Sequence, residues 1–201
     1  MPGPDKRPGD AWGDAAMLAL HHPTAPSGAP NGLVGGAAEC GRESGVQFKI
    51  DFLARHEDCL PRVAEWQLAE FGYLNPGDTL EGRTARLKGA LQTDGLPLSL
   101  VALSEKGEPV GAASILASTV THWHLTPWLS SVVVPAIHRG HGIASALSLW
   151  AVKEARRLGF DTLYLFTPRN ESLYARLGWT RMEFVVHRET ALTIMSRPTG
   201  D

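Results

Sequence analysis

From residue 46 onward, apolar and polar positions fall into alternating strand-like and helix-like periods. "VQFKI", residues 46–50, alternates strictly and predicts a strand. Leu60, Val63, Ala64, Leu68 and Phe71 then recur at helical spacing. Asp58 is placed to cap that helix, and Pro61 is tolerated in its first turn. "NPGD" is a turn, and Asp78 with Glu81 three residues on resembles a capping box for a second helix through Leu91. "LSLVALS" and "VGAASIL" flank "EKGEP" and read as a hairpin. After the linker "ASTVTHWHLTP" comes the strand "WLSSVVV". Ile143, Leu147, Trp150, Ala151 and Leu158 form the apolar stripe of a long helix stopped by Gly159. "TLYLFT" is a strand, "NESLYARLG" a short helix, and "WTRMEFVVH" with "ALTIMS" a final strand pair. The expected fold is α/β in the α+β sense: one mixed, mostly antiparallel sheet interrupted by helices.

Residues 1–45 change the picture at one end only. They are rich in Gly, Pro and Ala without a sustained period, so they bury too little apolar surface to offset ordering entropy. They read as a flexible tail before a single domain over 46–201. "AAMLAL" reads as a helical turn or as lying near an alternative start at Met17. No apolar stretch follows Lys6 and Arg7, which argues against a secretory signal. The net charge of −2 gives no case for a nucleic-acid footprint, and no run has the roughly 18 apolar residues of a membrane span. Two cysteines, Cys40 and Cys59, make no disulfide framework. A cytoplasmic protein is the simplest expectation.

The candidate chemistry begins at "VVVPAIHRGHGIASAL", residues 132–147, where a β-branched run passes through a glycine-rich turn into a helix. Gly140 and Gly142 permit positive backbone angles. Such a turn aims unpaired N–H groups at one place, and the helix dipole adds positive charge there. The product is an anion site suited to phosphate, with an empty tight turn as the plain alternative. A Walker loop is excluded because no Gly-Lys-Ser/Thr occurs. "GHGIAS" has two glycines of the dinucleotide fingerprint, but Ser145 stands at the third, and Asp161 lies at the wrong end of the next strand.

Arg139-x-x-Gly142-x-Ala144 resembles the acyl-CoA pyrophosphate loop of the GCN5-related N-acetyltransferases. "NESLYARLGW", residues 170–179, resembles the same family's Asn…Tyr-x-x-x-Gly-Phe segment, with Trp179 for the usual Phe. The resemblance runs over about residues 46–197 and is strongest from Trp128 to Trp179. One departure is visible: Pro135 stands four residues before Arg139, not three. The resemblance implies that main-chain N–H groups of Gly140, His141, Gly142, Ile143, Ala144 and Ser145, beside Arg139, hold the pyrophosphate. It implies that Val132, Val133 and Val134 pair with pantetheine through their backbone, and that Asn170 touches the same arm. It assigns Tyr174 as general acid toward the departing thiolate, acetyl-CoA as co-substrate, and an amine on a small molecule or peptide as acceptor. The residues themselves give no case for a metal, nucleic-acid or membrane partner, and the oligomeric state is open.

The base is not legible, because "WLSSVVV" has no carboxylate. His122 and His124 are candidates as base or substrate contact, with ordinary surface roles as the alternative. Ser130 and Ser131 are placed to orient water. Trp123 and Trp128 are candidates for an apolar wall of the acceptor site, or for plain loop anchors. Glu65, Glu70 and Glu81 would attract a cationic amine, or simply be solvated. His122, His124, His138 and His141 match no recognised zinc spacing. Two other functions compete: a non-catalytic acyl-CoA-binding module on the same fold, and a nucleotide-binding domain of another class.

Overall fold

Phe48, Ile50 and Phe52 are buried on one side of β1 (Phe48–Phe52), as the alternation requires. The computed structural model describes residues 47–119 and 122–200. The expected tail, with "AAMLAL" and Met17, lies outside the described residues. The further elements are α1 (Leu60–Phe71), α2 (Leu80–Gly89), β2 (Leu98–Ser104), β3 (Pro109–Leu116), β4 (Trp128–Val133), α3 (Ile143–Arg157), β5 (Thr162–Thr167), α4 (Glu171–Arg176), β6 (Thr180–His187) and β7 (Thr190–Pro198). The strands form one sheet in the order β1-β2-β3-β4-β5-β7-β6. Only β4 and β5 pair in parallel.

Helices cover both faces because β2 is apolar at almost every position. Leu98, Leu100, Leu163 and Leu165 pack on one face against Ile143, Leu147, Ala151 and Ala155 of α3. Val101, Leu103 and Val133 face the other way, against Leu60, Val63 and Ala64 of α1 and Leu87 of α2. Each buried Leu, Ile or Val among these stabilises the fold by about 1.5–3 kcal/mol. Gly111 on β3 allows α3 to sit closely, since a Cβ there would lie 2.8 Å from Ile143 Cγ2.

Both expected caps are displaced. Asp58 lies inside a 3-10 turn, Glu57–Cys59, which runs directly into α1. The residue before α1, Cys59, already has helical angles, so no extended position exists from which a side chain could reach back. At α2 the cap is Thr79, whose Oγ1 accepts from Gly82 N at 3.0 Å. Asp78 is instead buried and paired with Arg83 and Arg86. Thr79→Ala is expected to cost about 1 kcal/mol, read as a lower denaturant midpoint at unchanged slope.

Two irregularities open the sheet. Along β3 one residue lies between Ala112 and Ser114, whereas two lie between their partners Val133 and Ser130 on β4. The extra residue is a bulge, and Ser131 takes a positive φ of 53° to make it. On its other edge β4 pairs with β5 only at Trp128–Tyr164 and Leu129–Leu165. Past those two pairs the strands part.

Candidate active site

A cleft of about 670 Å³ lies where β4 and β5 separate. Residues 129–134 of β4 and its end line it, as do residues 166–170 at the end of β5 and beyond it, and Leu173 and Tyr174 of α4. The C-terminal end of α1, the connection through Asn75, and Arg83 of α2 complete it, with Arg139 and Ala144 from the glycine loop.

The loop follows from its glycines. Gly140 has φ 81° and Gly142 φ 76°, angles that side-chain-bearing residues rarely adopt. A Cβ at either would meet nothing within 4 Å, so the requirement is torsional. The additional residue between Pro135 and Arg139 is absorbed by a 3-10 turn, Ala136–His138. The first α3 hydrogen bond runs from Ala146 N to Gly142 O at 2.9 Å. The N–H groups of residues 140–145 therefore have no partner among the described residues. They sit at the positive end of a 15-residue helix. Arg139 braces this loop: its Nε donates to Val134 O at 3.0 Å and its Nη2 to Glu70 Oε2 at 3.1 Å.

Val132, Val133, Val134, Arg139, Ala144, Asn170 and Tyr174 all line the cleft. Gly140, His141, Gly142, Ile143 and Ser145 do not, although their backbone forms the loop between Arg139 and Ala144. The Ile143 side chain is in the core, and His141 Nδ1 lies 3.2 Å from His138 O. Asn170 precedes α4 but its side chain caps nothing. The turn is held instead by Asn170 N donating to Thr167 Oγ1 at 3.0 Å.

Tyr174 is 8% exposed, with its ring edge-on to Trp179 at 5.7 Å. Its hydroxyl has no hydrogen-bond partner among the described residues. Burial pushes its pKa up to about 12, so it is a neutral donor at any working pH. The native state then holds this proton more tightly than the unfolded chain does. Stability present below pH 10 should fall as pH rises through about 12, by up to about 3 kcal/mol. Denaturant midpoints over that window should show the loss, and Tyr174→Phe should lessen it.

The other polar candidates divide. Ser130 and Ser131 line the cleft with hydroxyls 3.3 Å apart. Glu70 lines it too but is committed to Arg139, while Glu65 and Glu81 lie outside. His122 and His124 are not in the cleft. His122 Nε2 is 2.8 Å from Glu183 Oε1, and its ring packs on Trp128. Of the two readings of Trp123 and Trp128, the acceptor wall is not formed in the cleft, and Trp128 acts as a loop anchor. Trp128 is fully buried, with Nε1 donating to Leu125 O at 2.7 Å, and Trp123 is 82% exposed. Among the described residues no group of three His, Cys, Asp or Glu is placed to hold a metal. No helix among them is long and apolar enough to cross a membrane.

Sequence reasoning missed Arg83, which is 9% exposed and lines the cleft. Burial pulls its guanidinium below the ordinary value, and Asp78 opposes that. The available signal was its spacing: Arg83 and Leu87 are the buried positions of α2, four apart.

A mixed sheet split between two parallel strands, with the unengaged N–H groups of a helix end beside the split, defines an α/β fold with a cleft within its sheet. A model of the acetyltransferase (GNAT) family matches residues 60–179, more than half of the chain, and the chain belongs to that family. The uncharacterized N-acetyltransferase YjgM of Escherichia coli (strain K12) is 32% identical over 85 residues, 40% of this chain and 50% of that protein. The chain thus matches about half the length of that relative. Among solved structures, a GCN5-related N-acetyltransferase from Kribbella flavida superposes with a TM-score of 0.61 at 18% identity, covering 75% of this chain and 97% of that one. A spermidine N-acetyltransferase from Vibrio cholerae, in complex with CoA and spermine, gives 0.59 at 14% identity, covering 76% and 95%. At these identities the structural likeness concerns the fold.

Proposed function

We propose that the protein transfers an acetyl group from acetyl-CoA directly to an amine. One observation carries this: the unengaged N–H groups of residues 140–145 lie in the loop around the cleft-lining Arg139 and Ala144, and the unpartnered Tyr174 lines the same cleft, where β4 has lost its β5 partner. Those N–H groups suit the oxygens of a pyrophosphate. The β5-facing edge of residues 130–133 has main-chain groups available to an extended amide-bearing arm. Asn170 adds a side-chain amide on the same side. Acetyl-CoA supplies the acetyl thioester, and the protein's residues orient it and manage protons.

Tyr174 Oη–H donates a hydrogen bond toward the sulfur. With its pKa near 12, against about 8.5 for a thiol, complete proton transfer would be uphill by roughly 5 kcal/mol. Stabilising the developing thiolate by a hydrogen bond is therefore its role. On the acceptor side, an aliphatic amine with a pKa near 10.4 is free base in only about 1 of 2,500 molecules at pH 7. Ser130 and Ser131 are placed to orient a water that takes the proton. Positioning the amine against the thioester supplies the larger share of rate.

A second reading, an acyl-CoA-binding module without transfer, draws on one fact. The cleft has no unpaired carboxylate or imidazole among the described residues. Thiol release from acetyl-CoA across a panel of amines decides between them. Release with any amine supports the enzyme. Calorimetric binding of acetyl-CoA without release across the panel supports the module.

A further inference from the structure

The part of the cleft not assigned to CoA is cationic. Of the acids and bases lining the cleft, Arg139 and Glu70 neutralise each other. Arg83 and Arg169 remain, and Glu70 is the only lining carboxylate among the described residues. Asp78, buried behind Arg83, is shared with Arg86, so that triad carries one net positive charge. Arg169 stands over the Tyr73 ring, 5.9 Å from its centroid, on the same cleft.

Arg83 is the informative member. It is 91% buried by its 9% exposure, and only its Nε meets Asp78. Its two Nη groups have no partner among the described residues. A guanidinium held in this way is a fixed fork with donors left over, suited to two oxygens of one anion. These Nη groups keep access to the cleft, so an oxyanion there would take the place of water on a pair of donors already fixed in position.

From this, and resting on the acetyl-transfer reading above, we infer that the acceptor is a small amine that also carries a carboxylate or similar oxyanion, an amino-acid-like molecule, with Arg83 as its anion contact. Two consequences of the charge agree with this. Polycationic amines meet like charge on entry. An acceptor ammonium drawn in beside cations has its pKa lowered, which eases deprotonation in a cleft without a free carboxylate base.

The test measures kcat/KM for a set of L-amino acids, each beside its C-terminal amide, with spermidine as a polycationic amine. At least one acid should exceed its own amide by about tenfold or more, and spermidine should be poor. Arg83→Met should reduce that ratio toward one by raising KM for the acid, with kcat and acetyl-CoA affinity little changed. Arg169→Gln, an exposed position, should raise the same KM by a smaller factor and provides the comparison if Arg83→Met does not fold. Amides or spermidine used as well as or better than the acids would overturn the anionic acceptor while leaving acetyl transfer standing. Acetyl-CoA binding without transfer to any member of the set would overturn the anionic acceptor, and absence of transfer to the wider amine panel as well would overturn both.

Discussion

Tyr174→Phe should lower turnover by about two orders of magnitude while acetyl-CoA affinity changes less than about twofold. The substitution removes one donor and little else. The ring stays packed edge-on to Trp179, and no hydrogen bond within the described residues is broken, because the hydroxyl has none. Folding stability should be kept or slightly improved for the same reason. A hundredfold loss corresponds to about 2.7 kcal/mol of transition-state stabilisation, a reasonable amount for one aimed donor in a dry site. Steady-state thiol release and calorimetry of acetyl-CoA are the two measurements. Unchanged turnover would remove Tyr174 from the chemistry.

Gly142→Val should weaken acetyl-CoA binding by at least about tenfold. A β-branched residue at φ 76° costs on the order of 1–3 kcal/mol, and the chain relieves this by turning the loop's N–H groups away from one another. Gly107 is the natural control. It has φ 80° in the β2–β3 turn and equally open surroundings. Gly107→Val should carry a similar stability cost with acetyl-CoA affinity intact. Equal losses of affinity in both variants would mean that strain, not loop geometry, is responsible.

The elements that were legible in advance are those whose signal is local. The stripe from Ile143 to Leu158, the positive-φ glycines and the strand runs each depend on their own neighbours in the chain. The caps differ for two separate reasons: a 3-10 turn carries Asp58 straight into α1, and Asp78 has the right chemistry for a cap, but Arg83 and Arg86 claim its carboxylate. Trp128 reads in sequence as an acceptor wall or a loop anchor, and its side chain turns into the core, where Tyr164 and Phe166 pack on it and its Nε1 ties down Leu125 O. The extra residue before Arg139 was visible as a count, and only the structure shows it taken up in a 3-10 turn. The parting of β4 from β5 has no periodicity to announce it, since it is a ladder that stops. Arg83 was readable only once α2's buried side was known.

The junction of β4 and β5 has a mechanical meaning. Two residue pairs are all that join the four strands β1 to β4 to the three strands β5, β7 and β6 within the sheet. Elsewhere the halves are held by side chains beneath α3, not by backbone ladder. An extended ligand lying in the gap would act as a removable rung between the two half-sheets. Its concentration would then enter the melting temperature directly, as any molecule bound only by the native form must. Slow amide exchange at residues 130–133 would report on occupancy of the gap before any chemistry was measured.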